Sequence, residues 1–276
     1  MAVDIPSVPL PGGASLPQIG IGVFQVPPDD TANVVRTALE AGCRHIDTAQ
    51  MYRNEAGVGQ GIRDSGLARE DVFVTTKLAN DAHGHDNAIT ALEGSLERLG
   101  TEYVDLYLIH WPLPGRGKFL RTWEAFDELQ KAGKTRAIGV SNFRPEDLDR
   151  LAEHGGPLPE VNQIELHPAF QQRELSEYHR AHGIVTEAWS PLGQGRVLGA
   201  AVLADLAGKH GRTPAQIVLA WHLRRGRVVF PKSVHAERIR ENLDVADIEL
   251  DEAELAAIDG LDEGRRLGPD PSTFEG

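Results

Sequence analysis

The chain has 276 residues, 41% hydrophobic and 25% charged, with glycine and proline dispersed. That is an ordinary globular composition, and the length suits one α/β barrel of about 250 residues. A formal net charge of -13 repels phosphate backbones and anionic lipids, which sets nucleic acid and membrane surfaces aside as partners. The single cysteine, Cys43, excludes an intramolecular disulfide framework and fits a reducing compartment. No apolar run approaches membrane length, and "MAVDIPSVPLPGG" lacks the apolar region of a signal peptide, so a cytoplasmic location is expected.

In chain order, "SVPLPGGASLP" predicts a hairpin capping one end of the fold. Eight strand-then-helix units follow. The strand candidates are "PQIGIG", "CRHIDT", "DVFVTTKL", "VDLYLIH", "TRAIGVS", "VNQIELH", "IVTEAWS" and "RVVFPKS". The matching helices are predicted over Pro28 to Ala41, Ala56 to Ser65, Asp86 to Leu99, Phe119 to Lys131, Pro145 to His154, Arg173 to His182, Pro214 to Arg224 and Ala236 to Asp244. Thr213 before Pro214 reads as an N-cap with an N1 proline, and Asp251 with Glu254 as a capping box. "VLGAAVLADLAGKHG" and "EAELAAIDGL" fall outside the alternation and predict two extra helices. The expectation is an α/β fold, a (β/α)8 TIM barrel with an N-terminal β-hairpin cap, formed by residues 1–276 as one domain. A doubly wound open sheet competes, but "QIGIGVFQ" lacks the third glycine of a dinucleotide-binding turn.

In a barrel, polar residues at strand C-terminal ends converge on one mouth. Those ends carry Asp47, Lys77, His110, Ser141, Asn142, Gln163, Trp189 and Lys232, with Tyr52 just after the second strand. Each has a plain reading alone: a turn cap, a rim cation, a half-buried histidine. Together an acid, a cation, an imidazole and a phenol make a coherent set. A phenol of reference pKa ~10 donates a proton poorly until a cation stabilises the phenolate, which Lys77 can do. Asp47 would keep Lys77 charged, and His110 would hydrogen-bond a carbonyl oxygen. The set lacks an electron source, which a hydride cofactor would supply.

"HIDTAQMYRNE", "VFVTTKL", "DLYLIHWP", "GVSNF", "NQIELHP", "SPLG" and "PKSVHAERIREN", in this order, resemble the signatures of the aldo-keto reductases, especially bacterial members that include 2,5-diketo-D-gluconate reductases. The resemblance implies NADPH-dependent reduction of keto-sugars, dicarbonyls or similar small carbonyls by a monomer, with a tetrad of Asp47, Tyr52, Lys77 and His110. It implies that Ser141, Asn142 and Gln163 hold the nicotinamide carboxamide and that Trp189 stacks on its ring. Ser190 and Leu192 would run under the pyrophosphate. Lys232, Ser233 and Arg238 would meet the 2'-phosphate, with Glu241 and Asn242 near the adenine. Two cations and a hydroxyl at a helix start are also an anion site on physical grounds.

The chain departs from its relatives in Trp189, where tyrosine is common, in Ala79 and Phe24, where tryptophan is common, and in the short tail "LGPDPSTFEG". Phe24, Met51, Trp111 and Phe274 are the candidate substrate pocket. "HGHD", His83 to Asp86, has metal-ligating residue types but no remote partner cluster, so a solvated helix start is expected and no metal. Two alternatives stay open: a cofactor-binding regulatory subunit, and an aldolase or isomerase using Lys77 as a Schiff-base amine.

Overall fold

Alternation along the eight extended runs decides the architecture, because successive side chains leave opposite faces of a strand. In the computed structural model, which describes residues 5–276, one set of faces closes on itself and the other packs under helices. The elements are β1 (Ser7–Pro9), β2 (Ser15–Pro17), β3 (Ile21–Gly22), α1 (Pro28–Glu40), β4 (His45–Asp47), α2 (Glu55–Ser65), β5 (Phe73–Leu78), α3 (His85–Leu99), β6 (Val104–Ile109) and α4 (Phe119–Lys131). They continue as β7 (Thr135–Ser141), α5 (Pro145–His154), β8 (Val161–Glu165), α6 (Arg173–His182), β9 (Val185–Trp189), α7 (Ala201–His210), α8 (Pro214–Arg224), β10 (Val228–Val229), α9 (Ala236–Leu243) and α10 (Glu252–Asp259).

Strands β3 to β10 pair in chain order and all in parallel. The cylinder closes between its first and last members. Ile19 bridges Val229 in parallel, Gly20 N donates to Val229 O at 2.9 Å, and Val229 N donates to Gln18 O at 2.8 Å. Only glycine fits at position 20, since a Cβ there would lie 2.5 Å from the His45 carbonyl oxygen. This is the expected (β/α)8 barrel, with α7 and α10 as the two extra helices. The β1–β2 hairpin is antiparallel and sets Leu10 and Leu16 against Phe73, Leu106, Val161 and Val228, a dry plug at the barrel floor. Gly12 N donates to Glu160 Oε2 at 2.6 Å and fastens the hairpin tip.

The outer faces of the strands, such as Ile46, Val74, Tyr107, Ile138 and Ile164, pack under the helices. In α1 the buried positions are Thr31, Val34, Val35, Ala38 and Leu39, the stripe of an amphipathic helix. Both predicted caps form. Gln216 N donates to Thr213 Oγ1 at 3.3 Å and Thr213 N to Gln216 Oε1 at 3.0 Å, while Glu254 N donates to Asp251 Oδ1 at 2.9 Å and Asp251 N to Glu254 Oε2 at 2.8 Å. Each reciprocal cap satisfies donors that a helix start leaves open. After α10 the chain returns across the barrel mouth, where Glu263 N and Arg265 N donate to Ala169 O at 3.1 and 3.0 Å. No helix among the described residues is long and apolar enough to cross a membrane.

Candidate active site

The inward parity of β4 and β5 puts an acid and an amine face to face. Register pairs Ile46 with Val74 and Asp47 with Thr75, so Ile46 turns to the helices and Asp47 inward, as does Lys77 two residues beyond Thr75. Lys77 is fully buried and its ammonium meets three acceptors: Asp47 Oδ1 at 2.7 Å, the Thr48 carbonyl at 2.9 Å and Tyr52 Oη at 3.3 Å. Tyr52 ends a short 3-10 turn, Gln50–Tyr52, which Arg53 terminates in the left-handed region at φ 57°. Asn54 pins this loop, accepting from Thr48 Oγ1 at 2.9 Å and donating to Val23 O at 2.8 Å. His110, just past β6, turns its ring edge-on to Tyr52 with centroids 5.8 Å apart.

A second group gathers across the mouth. Ser141 Oγ donates to Gln163 O at 2.8 Å, Asn142 Nδ2 donates to His110 O at 3.0 Å, and Trp189 Nε1 donates to Asn142 Oδ1 at 2.8 Å. Asn142 and Ser190, each next to a strand end, hold positive φ values of 64° and 51°. Strained backbone of this kind concentrates at functional sites. Gln163 Nε2 donates to Asp47 Oδ2 at 2.9 Å and so joins the two groups.

A cavity of about 440 Å³ lies over both. Of the residues singled out in the sequence, Asp47, Tyr52, His110, Ser141, Asn142, Gln163, Trp189, Ser190 and Lys232 line it, as do Phe24, Met51 and Trp111. Lys77 lies beneath, out of solvent. Phe24 and Met51 are 54% and 47% exposed, an apolar rim open to solvent. Phe274 does not line the cavity; it packs on Trp111 from behind, with ring centroids 4.4 Å apart. Leu192, Ser233, Arg238, Glu241 and Asn242 lie outside it. Lys232 and Arg238 are exposed on either side of the buried Ser233, whose hydroxyl accepts from His235 N at 3.1 Å just before α9. Glu241 is turned to Thr213, accepting from its hydroxyl at 2.6 Å. His85 and Asp86 of "HGHD" head α3, where His85 contacts Asp86 at 2.9 Å and Glu128 at 3.1 Å. No group of three or more metal-ligating side chains occurs among the described residues.

Burial sets the protonation states. Burial alone would lower the Lys77 pKa, but Asp47 and Tyr52 more than offset it and hold the ammonium above its ordinary range. Burial raises Asp47, with Lys77 and Gln163 pulling it back. Burial also raises Tyr52, and Lys77 offsets only part of that rise. The direction differs from the lowered phenol the sequence suggested, because removing the phenolate from water costs more than one lysine returns. Tyr52 therefore rests as a protonated phenol. His110 is pushed down to about 3 by burial first and Lys77 second, so its imidazole is neutral.

This arrangement couples a buried ammonium, a protonated phenol and a neutral imidazole at the base of one cleft. A profile of the aldo/keto reductase family matches residues 16–263, from the second hairpin strand to just past α10. The chain belongs to that family. An aldo-keto reductase of Mycolicibacterium smegmatis is 52% identical over 269 residues, 98% of each chain. Methylglyoxal reductase DkgA of Escherichia coli is 48% identical over 271 residues, again 98% of each. A crystal structure of a Gox0644 mutant in complex with NADPH superposes on this aldo/keto reductase with a TM-score of 0.94 at 48% identity, covering 98% of both chains.

Sequence reading missed several residues of the cleft. Phe230, Pro191, Gln194, Gly268 and Pro269 line it, and Glu187 lies beneath Gln163. Glu187 was accessible to the same parity rule, since it lies two residues before Trp189 on one strand face. Gly268 and Pro269 carried no such signal, because only the return of the tail across the mouth brings them there.

Proposed function

We propose that this aldo/keto reductase reduces aldehydes and ketones to alcohols, with NADPH as hydride donor and Tyr52 as proton donor. The observation that carries it is the buried Lys77 ammonium joined to Asp47 at 2.7 Å and to the Tyr52 hydroxyl at 3.3 Å on the cavity floor. Tyr52 gives its proton to the carbonyl oxygen, and the phenolate left behind is stabilised by Lys77. Neutral His110 donates to the same oxygen and holds it beside the phenol. When bound, NADPH supplies the hydride that no side chain here can provide.

The donor set fits that cofactor. Ser141, Asn142 and Gln163 offer amide and hydroxyl groups for a carboxamide, and the Trp189 ring, held through Nε1, would stack on the nicotinamide. Ser190 and Leu192 would lie along the pyrophosphate. Lys232, Ser233 and Arg238 give two cations and a hydroxyl for a 2'-phosphate. Glu241 and Asn242 lie along α9 for the adenine, with Glu241 already engaged by Thr213. Phe24, Met51, Trp111 and, through Trp111, Phe274 shape an apolar rim that suits small dicarbonyls and keto-sugars.

The same reading takes the chain as one domain, monomeric as the family resemblance suggests and cytoplasmic as the single buried cysteine suggests. A Schiff-base role for Lys77 is disfavoured, because that chemistry needs the neutral amine and Asp47 holds it charged. The test uses methylglyoxal with NADPH. Tyr52→Phe should lose at least about a hundredfold in kcat, the scale of general acid catalysis, with NADPH affinity retained. Turnover near the parent level in that variant would reject Tyr52 as the donor.

A further inference from the structure

One titratable side chain inside the barrel has no part in the reading above. Glu187 is fully buried in the middle of β9. Gln163 Nε2 donates to Glu187 Oε2 at 2.8 Å and to Asp47 Oδ2 at 2.9 Å, so a single amide nitrogen bridges two carboxyl groups. The line continues from Asp47 to Lys77 at 2.7 Å and from Lys77 to Tyr52 at 3.3 Å. The other oxygen of Glu187, Oε1, has no hydrogen-bond partner among the described residues.

Two carboxyl groups thus share this interior with one cation, and that cation contacts Asp47. A charged Glu187 would be a buried anion without a direct counter-ion and with one oxygen unbonded, a state that the dry interior strongly disfavours. The charged groups facing it are Asp47 from β4 and Lys77 from β5. The flanking strands contribute Gln163 from β8 and Val228 from β10 at its register positions, and neither titrates. Burial, then Asp47, pushes the Glu187 carboxyl up to about 8, against the smaller pull of Gln163 and Lys77. An amide whose nitrogen is held between two carboxyl oxygens has one orientation, which leaves its oxygen as the end available to the mouth.

We propose that Glu187 is a positioning residue for the carbonyl reduction: as a neutral acid it shares the Gln163 nitrogen with Asp47, fixes which end of that amide serves the mouth, and leaves Lys77 with one carboxylate to balance. This rests on the functional reading given above. Ionising Glu187 places a second negative charge three hydrogen bonds from Lys77, through Gln163 and Asp47, and opposes the phenolate that Tyr52 becomes on giving up its proton. The alkaline fall of the reduction rate therefore belongs to Glu187, ahead of any titration of the phenol or the lysine.

The experiment compares the parent protein with Glu187→Gln and Glu187→Leu, following kcat and KM from about pH 6 to about pH 10. The parent kcat should fall with an apparent pKa of about 8. Glu187→Gln keeps an acceptor for Gln163 but has no proton to lose, so its plateau should extend by about one pH unit or more. Glu187→Leu removes the acceptor and should raise KM for NADPH about tenfold, the value of one lost hydrogen bond, with a smaller change in kcat. A second readout needs no turnover. The infrared spectrum of the protein without cofactor should show a protonated buried carboxyl at neutral pH that fades on alkalinisation and is missing from Glu187→Gln. An identical alkaline limb in the parent and Glu187→Gln, or absence of that band with turnover intact, overturns the role of Glu187. Absence of carbonyl turnover in the parent, with the band present, instead overturns the functional reading and the positioning role together. Should Glu187→Leu fail to fold, Glu187→Gln and the infrared band still decide.

Discussion

Lys77 reaches from β5 to three acceptors that all lie in one short stretch, Asp47 to Tyr52: the carboxylate that ends β4, the next backbone carbonyl and the phenol that closes a short helical turn. That is why the tetrad was legible as residue types at strand ends, while its electrostatic outcome was not. The raised pKa of the phenol depends on how deeply the cleft floor is buried, and that of Glu187 on its burial and on the Asp47 carboxylate across the barrel, both products of closure. Residues at the proposed cofactor end are simpler, since Lys232 and Arg238 face solvent. A charge-assisted hydrogen bond to a 2'-phosphate is worth roughly 1.5 to 3 kcal/mol. Arg238→Ala should therefore weaken NADPH binding by about ten- to a hundredfold and NADH binding far less, as titration calorimetry would measure. Equal losses for the two would place 2'-phosphate recognition elsewhere.

At the scale of elements, most strands and helices were readable to within about two residues, because parity and caps act locally, while β3, β10 and α7 are each shorter at one end than the sequence suggested. The C-terminal segment was not, because its course is decided by groups far away in sequence. Glu165, fully buried at the end of β8, accepts from Leu267 N at 2.6 Å and Gly268 N at 2.9 Å, and His167 Nε2 lies 3.1 Å from it. A side chain at position 268 would collide with the Trp189 ring, so glycine lets the tail pass directly over it. Beyond this clamp Phe274 packs at a tilt against Trp111, and Arg116 donates to the Glu275 carbonyl. The tail thus lies directly against the proposed nicotinamide platform. Glu165→Ala leaves two partly buried N–H groups without their acceptor, at about 1 to 3 kcal/mol each. Hydrogen exchange should speed up across residues 265–276 and stay slow in β8, with a higher KM for the carbonyl substrate. Unchanged exchange in the tail would mean that Trp111 and Arg116 hold it without Glu165.

Across the whole molecule, protonation states chosen by burial determine how stability follows pH. His45, His110 and His179 are pushed down to about 3 and His83 to about 4, with His222 well below its ordinary value, in each case chiefly by burial. These imidazoles stay neutral in the fold but take up protons in the unfolded chain below about pH 6.5. Their contribution is complete above that value and is lost as pH falls toward 3, at up to about 1.4 kcal/mol per pH unit for each histidine. Glu187 acts with the opposite sign. Its folded pKa of about 8 exceeds the ordinary 4.5, so the folded state holds the extra proton and stability declines as pH rises between those values. From 4.5 to 6.5 several histidines outweigh one glutamate, and above 6.5 the glutamate acts alone among these six groups. Stability should therefore peak near pH 6.5, falling steeply on the acid side and gently on the alkaline side up to about pH 8, as urea midpoints across a pH series would show. Glu187→Gln should flatten the alkaline slope and leave the acid slope intact. An alkaline slope that survives this substitution would show that Glu187 is already ionised at neutral pH, and an acid slope no steeper than the alkaline one would show that the buried histidines are protonated in the fold.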